Sequence, residues 1–152
     1  YKRQVEFHIC GYCEEDYKAA IKEKTLAGEV IYHGLVDDVK PYEEKCHCVV
    51  LPSFHPEGIS NVLLEGAACA RPLITTDHAG CQETVTDGVT GYIVKQRNSK
   101  DLIDKMIRFI KLSYEEKVQM GIEGRKKVEK EYDRKIVVDC YMKEIEELGR
   151  KI

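Results

Sequence analysis

Short apolar runs at positions 4–9, 30–33, 48–52, 72–75 and 91–94 alternate with longer stretches of helical periodicity. Strand-length runs separated by helices predict βαβ units. The expected fold is therefore α/β: a Rossmann-like, doubly wound parallel sheet with extra C-terminal helices and ligand bound at the carboxyl ends of the strands. Glu14 to Leu26 reads as the first helix, ended by Ala27-Gly28. A short helix should follow Asp38, and one starting near Asn61 should pack Leu63, Leu64 and Ala67 onto the sheet. A short turn is expected around Gln82 to Val85. Asn98 is placed to cap a helix reaching about Leu112, with Leu102, Ile103, Met106, Ile107 and Ile110 on its buried side. Ser113 should cap the next, through about Glu131. After a break at Tyr132-Asp133, a last amphipathic helix carries Ile136, Val137, Cys140, Tyr141, Ile145 and Leu148.

Composition narrows the class. A chain of 152 residues, 43% hydrophobic and 34% charged, predicts a single globular domain, 1–152, with one core. The net charge of −3 and the interleaving of basic with acidic residues give no reason to expect nucleic acid. No run approaches the roughly 18 apolar residues of a membrane span, and no signal peptide is evident; the expected compartment is cytoplasmic. Cysteines at 10, 13, 46, 48, 69, 81 and 140 are odd in number and irregular in spacing, which reads as small buried hydrophobes rather than a disulfide framework. Cys10-Gly11-Tyr12-Cys13 lies between a strand and a helix, as redox pairs do, but Ile9 stands where an aromatic would be. Zinc held by Cys10, Cys13, Cys46, His47 and Cys48 has enough donors, yet Cys46 and Cys48 at a strand start chelate poorly. Neither a metal nor a cofactor is expected.

The chemistry concentrates in Pro52-Ser-Phe-His-Pro-Glu-Gly-Ile-Ser-Asn-Val-Leu-Leu-Glu65. It follows a strand ending at Pro52 and leads into a helix, so Glu57 lies on a loop and Glu65 on the helix, with seven residues between them. Unpaired N–H groups near Ser60 to Val62 would form an anion site. Carboxylates on either side would accept from hydroxyl groups. Phosphate flanked by hydroxyls describes a nucleotide sugar. Glu65, set among Val-Leu-Leu and Gly-Ala-Ala, is expected to need a polar partner.

Four words carry a family likeness. Pro52-Ser53, Glu57-Gly58 and Val62-Leu-Leu-Glu65 with Ala67-Ala68 resemble the E-x7-E signature of the retaining glycosyltransferases of family 4, which have the GT-B fold. Arg71-Pro-Leu-Ile-Thr-Thr76, Gly80-Cys-Gln-Glu-Thr-Val85 and Asp87-Gly-Val-Thr-Gly-Tyr-Ile-Val94 follow in the family's order, with Ala70 where the family has Gly. The resemblance is clearest from Val30 to Leu112. It implies the donor-binding half of an enzyme of polysaccharide or glycan assembly, with a UDP-sugar favoured. On it, Glu57 contacts the transferring sugar and stabilises developing positive charge, and Glu65 binds the ribose. Backbone groups of Gly58, Ile59, Ser60 and Asn61 bind sugar hydroxyls and diphosphate, although Ser60 stands where Gly or Pro is common. Leu35 and Val36 lie near the base, Gly80 and Glu83 face the interdomain cleft, and His55 is a candidate neighbour of the sugar. Partners implied are the nucleotide-sugar donor, an acceptor-binding N-terminal domain of the same full-length chain, and peripheral membrane association of that protein. The start at Tyr1 suggests a fragment without the family's first strand and basic phosphate-binding pair, inactive alone. A nucleotide-sugar epimerase of similar two-domain shape and a non-catalytic binding domain remain alternatives.

Overall fold

The computed structural model describes residues 5–55 and 58–150. They form two compact units, one running through Pro41 and the other from Tyr42 onward.

In the first unit β1 (His8–Cys10) pairs in parallel with β2 (Ile31–Gly34), and α1 (Glu15–Leu26) connects them. Of the expected run 4–9, position 4 lies outside the described residues and ladder pairing begins at His8. Glu15 and Asp16 occupy the first turn of α1 and Lys24 the last, each matching the helix dipole. Gly28, at φ 66°, ends the helix as expected. Its N–H donates to Thr25 O and the Glu29 N–H to Lys24 O, the paired bonds that close a left-handed helix end. A four-residue helix, α2 (Lys40–Glu43), crosses the division, and the Asp38 carboxylate accepts from the Lys40 N–H at 3.0 Å.

The second unit holds a three-stranded parallel sheet in the order β3 (Val49–Leu51), β4 (Leu73–Thr76), β5 (Gly91–Val94). All five expected strands are present, grouped by hydrogen bonding as two and three. Strand alternation sends side chains to opposite faces. Leu73, with Val49, Leu51 and Ile93, joins Leu63 and Ala67 of α3 (Asn61–Ala68) in one cluster. Ile74, Tyr92 and Val94 form the other with Phe109 and Met120, from α4 (Ser99–Ile110) and α5 (Tyr114–Glu131). The Asn98 side chain caps α4, and Ser113 and Glu116 form a full capping box on α5.

Two expectations about buried faces fail. On α4 the residue that enters the core is Phe109, with Leu102 and Met106 half-buried, whereas Ile103, Ile107 and Ile110 are exposed. The apolar arc of α4 is wider than the strip the sheet can cover. The last helix, α6 (Arg134–Gly149), forms where expected but buries none of its residues; Ile136, Val137, Cys140, Tyr141, Ile145 and Leu148 are all exposed.

Two of the four family words prove to be turn devices, and a third, the β4 word, is led in by one. Asp87 Oδ1 accepts from the Ile93 N–H at 2.8 Å, Gly88 turns at φ 77°, and a Cβ on Gly91 would lie 1.9 Å from Leu73 O. Ala70 sits at φ 54°, the left-handed region that Gly enters freely. In Gly80 to Val85 the Thr84 hydroxyl donates to Cys81 O, while Cys81 and Val85 enter the core.

Candidate functional site

The loop after β3 is anchored from β4. Buried Thr75 donates through Oγ1 to Leu51 O at 2.9 Å, and buried Thr76 to Ser53 O at 2.5 Å. These bonds hold the chain at the carboxyl ends of the strands through residue 53. Phe54 and exposed His55 follow, their rings 4.4 Å apart. Pro56 and Glu57 lie outside the described residues, and with them the position expected to be catalytic. Gly58 and Ile59 are exposed.

Ser60 then begins α3 as its N-cap residue, but its side chain makes no capping hydrogen bond. The backbone N–H groups of Asn61, Val62 and Leu63, which an α-helix cannot pair internally, are left uncapped among the described residues. The N–H of Ser60 itself is committed, donating to Gly80 O at 3.0 Å. That corrects the expectation that Ser60 offers its N–H to a ligand: a neighbouring loop, legible only in three dimensions, has taken it. The same loop is braced internally, because the Gly80 N–H donates to Glu83 Oε2 at 2.7 Å. Tyr132, just past α5, donates its hydroxyl to Glu83 O at 3.0 Å. Gly80 and Glu83 thus belong to the support of the α3 start.

Glu65 requires a second correction. Its apolar sequence neighbours suggested a desolvated acid seeking a partner, but the buried side of α3 is Leu63, Gly66 and Ala67. At about 100° per residue Glu65 falls on the opposite side, exposed, beside Asn61 one turn earlier. Its carboxylate makes no hydrogen bond or ion pair among the described residues. An uncapped helix start and an exposed carboxylate one turn on can together receive an anion and a pair of hydroxyls.

Leu35 and Val36 belong to the first unit, where they follow β2; Leu35 is exposed and Val36 half-buried. Gly34 turns the chain there at φ 71° and accepts from the Gly11 N–H at 2.8 Å. A cavity of about 390 Å³ in that unit sits at the other, amino ends of the strands, lined by residues such as Val5, Phe7, Gly28 and Val30. Its two acids are Glu6, 3.6 Å from His8, and Glu29, paired with Lys24 at 2.9 Å. Sequence reasoning missed Thr75, Thr76 and Arg97, whose guanidinium carbon lies 4.6 Å from the Phe54 ring centre. Only the two hydroxyls in an otherwise apolar strand hinted at such a role.

All seven cysteines are free. Only Cys13, its thiol directed at Glu14 O, and Cys81, in the core, are buried as expected; Cys10, Cys46, Cys48 and Cys69 are half-buried and Cys140 is exposed. Desolvation pushes the Cys48 thiol far up, with a smaller push from Cys46, whose own thiol is raised by burial. Among the described residues no three His, Cys, Asp or Glu side chains are grouped to hold a metal ion. No helix among them is long and apolar enough to cross a membrane.

Comparison with known proteins assigns the architecture. The N,N'-diacetylbacillosaminyl-diphospho-undecaprenol alpha-1,3-N-acetylgalactosaminyltransferase of Campylobacter jejuni is 28% identical over 143 residues, covering 93% of this chain and 37% of the relative. The capsular polysaccharide biosynthesis glycosyltransferase CapM of Staphylococcus aureus is 33% identical over 104 residues, 67% of this chain and 26% of CapM. Anabaena HepE, solved in complex with UDP-glucose, superposes with a TM-score of 0.76 at 23% identity, over 97% of this chain and 41% of HepE. The chain thus spans well under half the length of these proteins. Its parallel α/β fold with C-terminal helices is that of GT-B glycosyltransferases. The family described as Glycosyl transferases group 1 matches residues 1–111, and the chain belongs to that family.

Proposed function

We propose that this chain is the donor half of a retaining glycosyltransferase of polysaccharide or glycan assembly, and that it binds a UDP-sugar. The observation that carries the reading is the α3 start: N–H groups of Asn61 to Leu63 that the Ser60 side chain does not cap, with exposed Glu65, which has no partner among the described residues, on the face of Asn61. The helix dipole and those N–H groups take the diphosphate, and Glu65 accepts from the ribose hydroxyls. Gly58 and Ile59 offer backbone groups to the sugar. Glu57 stabilises the positive charge that develops as the sugar leaves, and the bound diphosphate needs electrostatic stabilisation in the same step. The family membership and the relatives named for polysaccharide and glycan assembly support the class. The likeness to HepE, solved in complex with UDP-glucose, supports the nucleotide.

Transfer requires an acceptor-binding half that the named relatives have room for and this chain does not span. Titration of the chain with UDP and UDP-glucose, with and without EDTA, tests donor binding. Weak binding that ignores EDTA is expected, since backbone groups rather than a metal hold the phosphates. Strict dependence on Mg²⁺ or Mn²⁺, or no binding at all, overturns the reading. Product analysis of the full-length protein with and without acceptor then separates transfer from epimerisation, which needs no acceptor.

A further inference from the structure

Resting on the donor-site reading above, we propose that Arg97 is a positioning residue for the start of the donor loop, holding Phe54 and the His55 ring beside it. Arg97 lies in the turn between β5 and α4, closed by the Asn98 N–H donating to Lys95 O at 3.3 Å. It occupies the third position of that turn at φ 53°, a conformation for which β-turns ordinarily take Gly or Asn. A long side chain there carries a conformational cost that Gly escapes.

The turn is over-determined around it. The Gln96 N–H donates to Asp77 Oδ1 at 3.0 Å and the Lys95 N–H to Asp101 Oδ2 at 2.7 Å, while Asn98 Oδ1 accepts from the Asp101 N–H at 3.0 Å. Arg97 therefore projects from a base tied to β4 and to α4. Its guanidinium carbon stands 4.6 Å from the centre of the Phe54 ring, and the His55 ring packs 4.4 Å away at a 30° tilt. Phe54 is the first loop residue beyond the pinned Ser53 carbonyl, and it is 41% exposed. The cation–aromatic contact thus carries the order imposed by the two threonines one step further along the loop.

The test compares Arg97→Gly, Phe54→Leu and the double variant in the intact chain, by ¹⁵N relaxation, thermal unfolding and UDP-glucose titration. Arg97→Gly relieves the backbone and should keep or raise the thermal midpoint. Order parameters at Phe54 and His55 should fall from the rigid range near ~0.85 to below ~0.6. UDP-glucose affinity should drop about fivefold, the scale of one exposed cation–aromatic contact. Phe54→Leu should cause the same losses, and the double variant no more than either alone. Unchanged order parameters at Phe54 and His55 overturn the proposal, as does a fully additive double variant. A parent chain that ignores UDP-glucose sinks the donor reading instead, while the order parameters still decide whether Arg97 holds the loop.

Discussion

At the scale of single residues, exposure changes what Glu65 can be asked to do. Because the side chain is exposed and has no partner among the described residues, Glu65→Gln should leave the thermal midpoint unmoved. If it binds the ribose, the same change should cost about 1.5–3 kcal/mol of UDP affinity, the range for hydrogen bonds to a charged acceptor. Calorimetric titration beside thermal unfolding checks both, and a variant that binds UDP like the parent removes Glu65 from the site. Thiol chemistry offers a second residue-scale test. Desolvation raises the Cys48 thiol, so at neutral pH it stays protonated and unreactive, and Cys81 is fully buried. Exposed Cys140 should react first with a thiol-specific disulfide reagent. Cys140→Ser should abolish the fastest phase, leaving Cys48 and Cys81 to react only on unfolding. A fast phase that survives that change places an accessible thiol elsewhere.

At the scale of elements, α5 is positioned by two glycines with different duties. A Cβ on Gly121 would lie 2.0 Å from Ala70 O, so the helix meets the α3–β4 turn backbone to backbone. Gly124 is roomier: its nearest prospective neighbour is the Thr90 Cβ at 3.8 Å. Gly121→Ala should therefore destabilise by about 2–3 kcal/mol through overpacking. Gly124→Ala should be neutral or stabilising by up to about 1 kcal/mol, from helix propensity. Denaturant unfolding of the two variants checks the contrast; equal effects would mean that α5 does not pack on this turn. The helix caps at Asn98 and Ser113 were legible in the chain because a cap involves groups only three residues apart. The buried side of α4 was not, because Ile103, Ile107 and Ile110 are as apolar as Leu102 and Met106. Only the width of the partner sheet chooses between them.

At the scale of the whole molecule, the proposed division of labour between Glu57 and Glu65 is tested in the full-length protein. An acid acting on the sugar as the bond breaks contributes to the transition state more than to ground-state binding. Glu57→Ala should then lower kcat strongly with little change in inhibition by free UDP, whereas Glu65→Ala should raise donor KM and weaken UDP inhibition. Steady-state kinetics with UDP as inhibitor measures all three quantities. Matching profiles for the two variants would dissolve the proposed split.

Sequence alone was enough for features built from groups close along the chain. The five strands follow from apolar runs, the Gly28 helix end and the Asn98 and Ser113 caps from residues within one or two turns, and the α3 start from a Ser-Asn pair ahead of an apolar helix. Other features joined groups far apart in the chain, and these the tertiary structure decided. The Ser60 N–H goes to Gly80, Thr76 pins Ser53, and Arg97 stands over Phe54, each pairing set by how β3, β4 and β5 align their carboxyl ends. Glu65 belongs with them: its neighbours in sequence are apolar, but rotation of α3 onto the sheet turns Leu63 and Ala67 inward and leaves the acid in water. Periodicity can name an apolar face, but the neighbour that covers it determines how far burial extends.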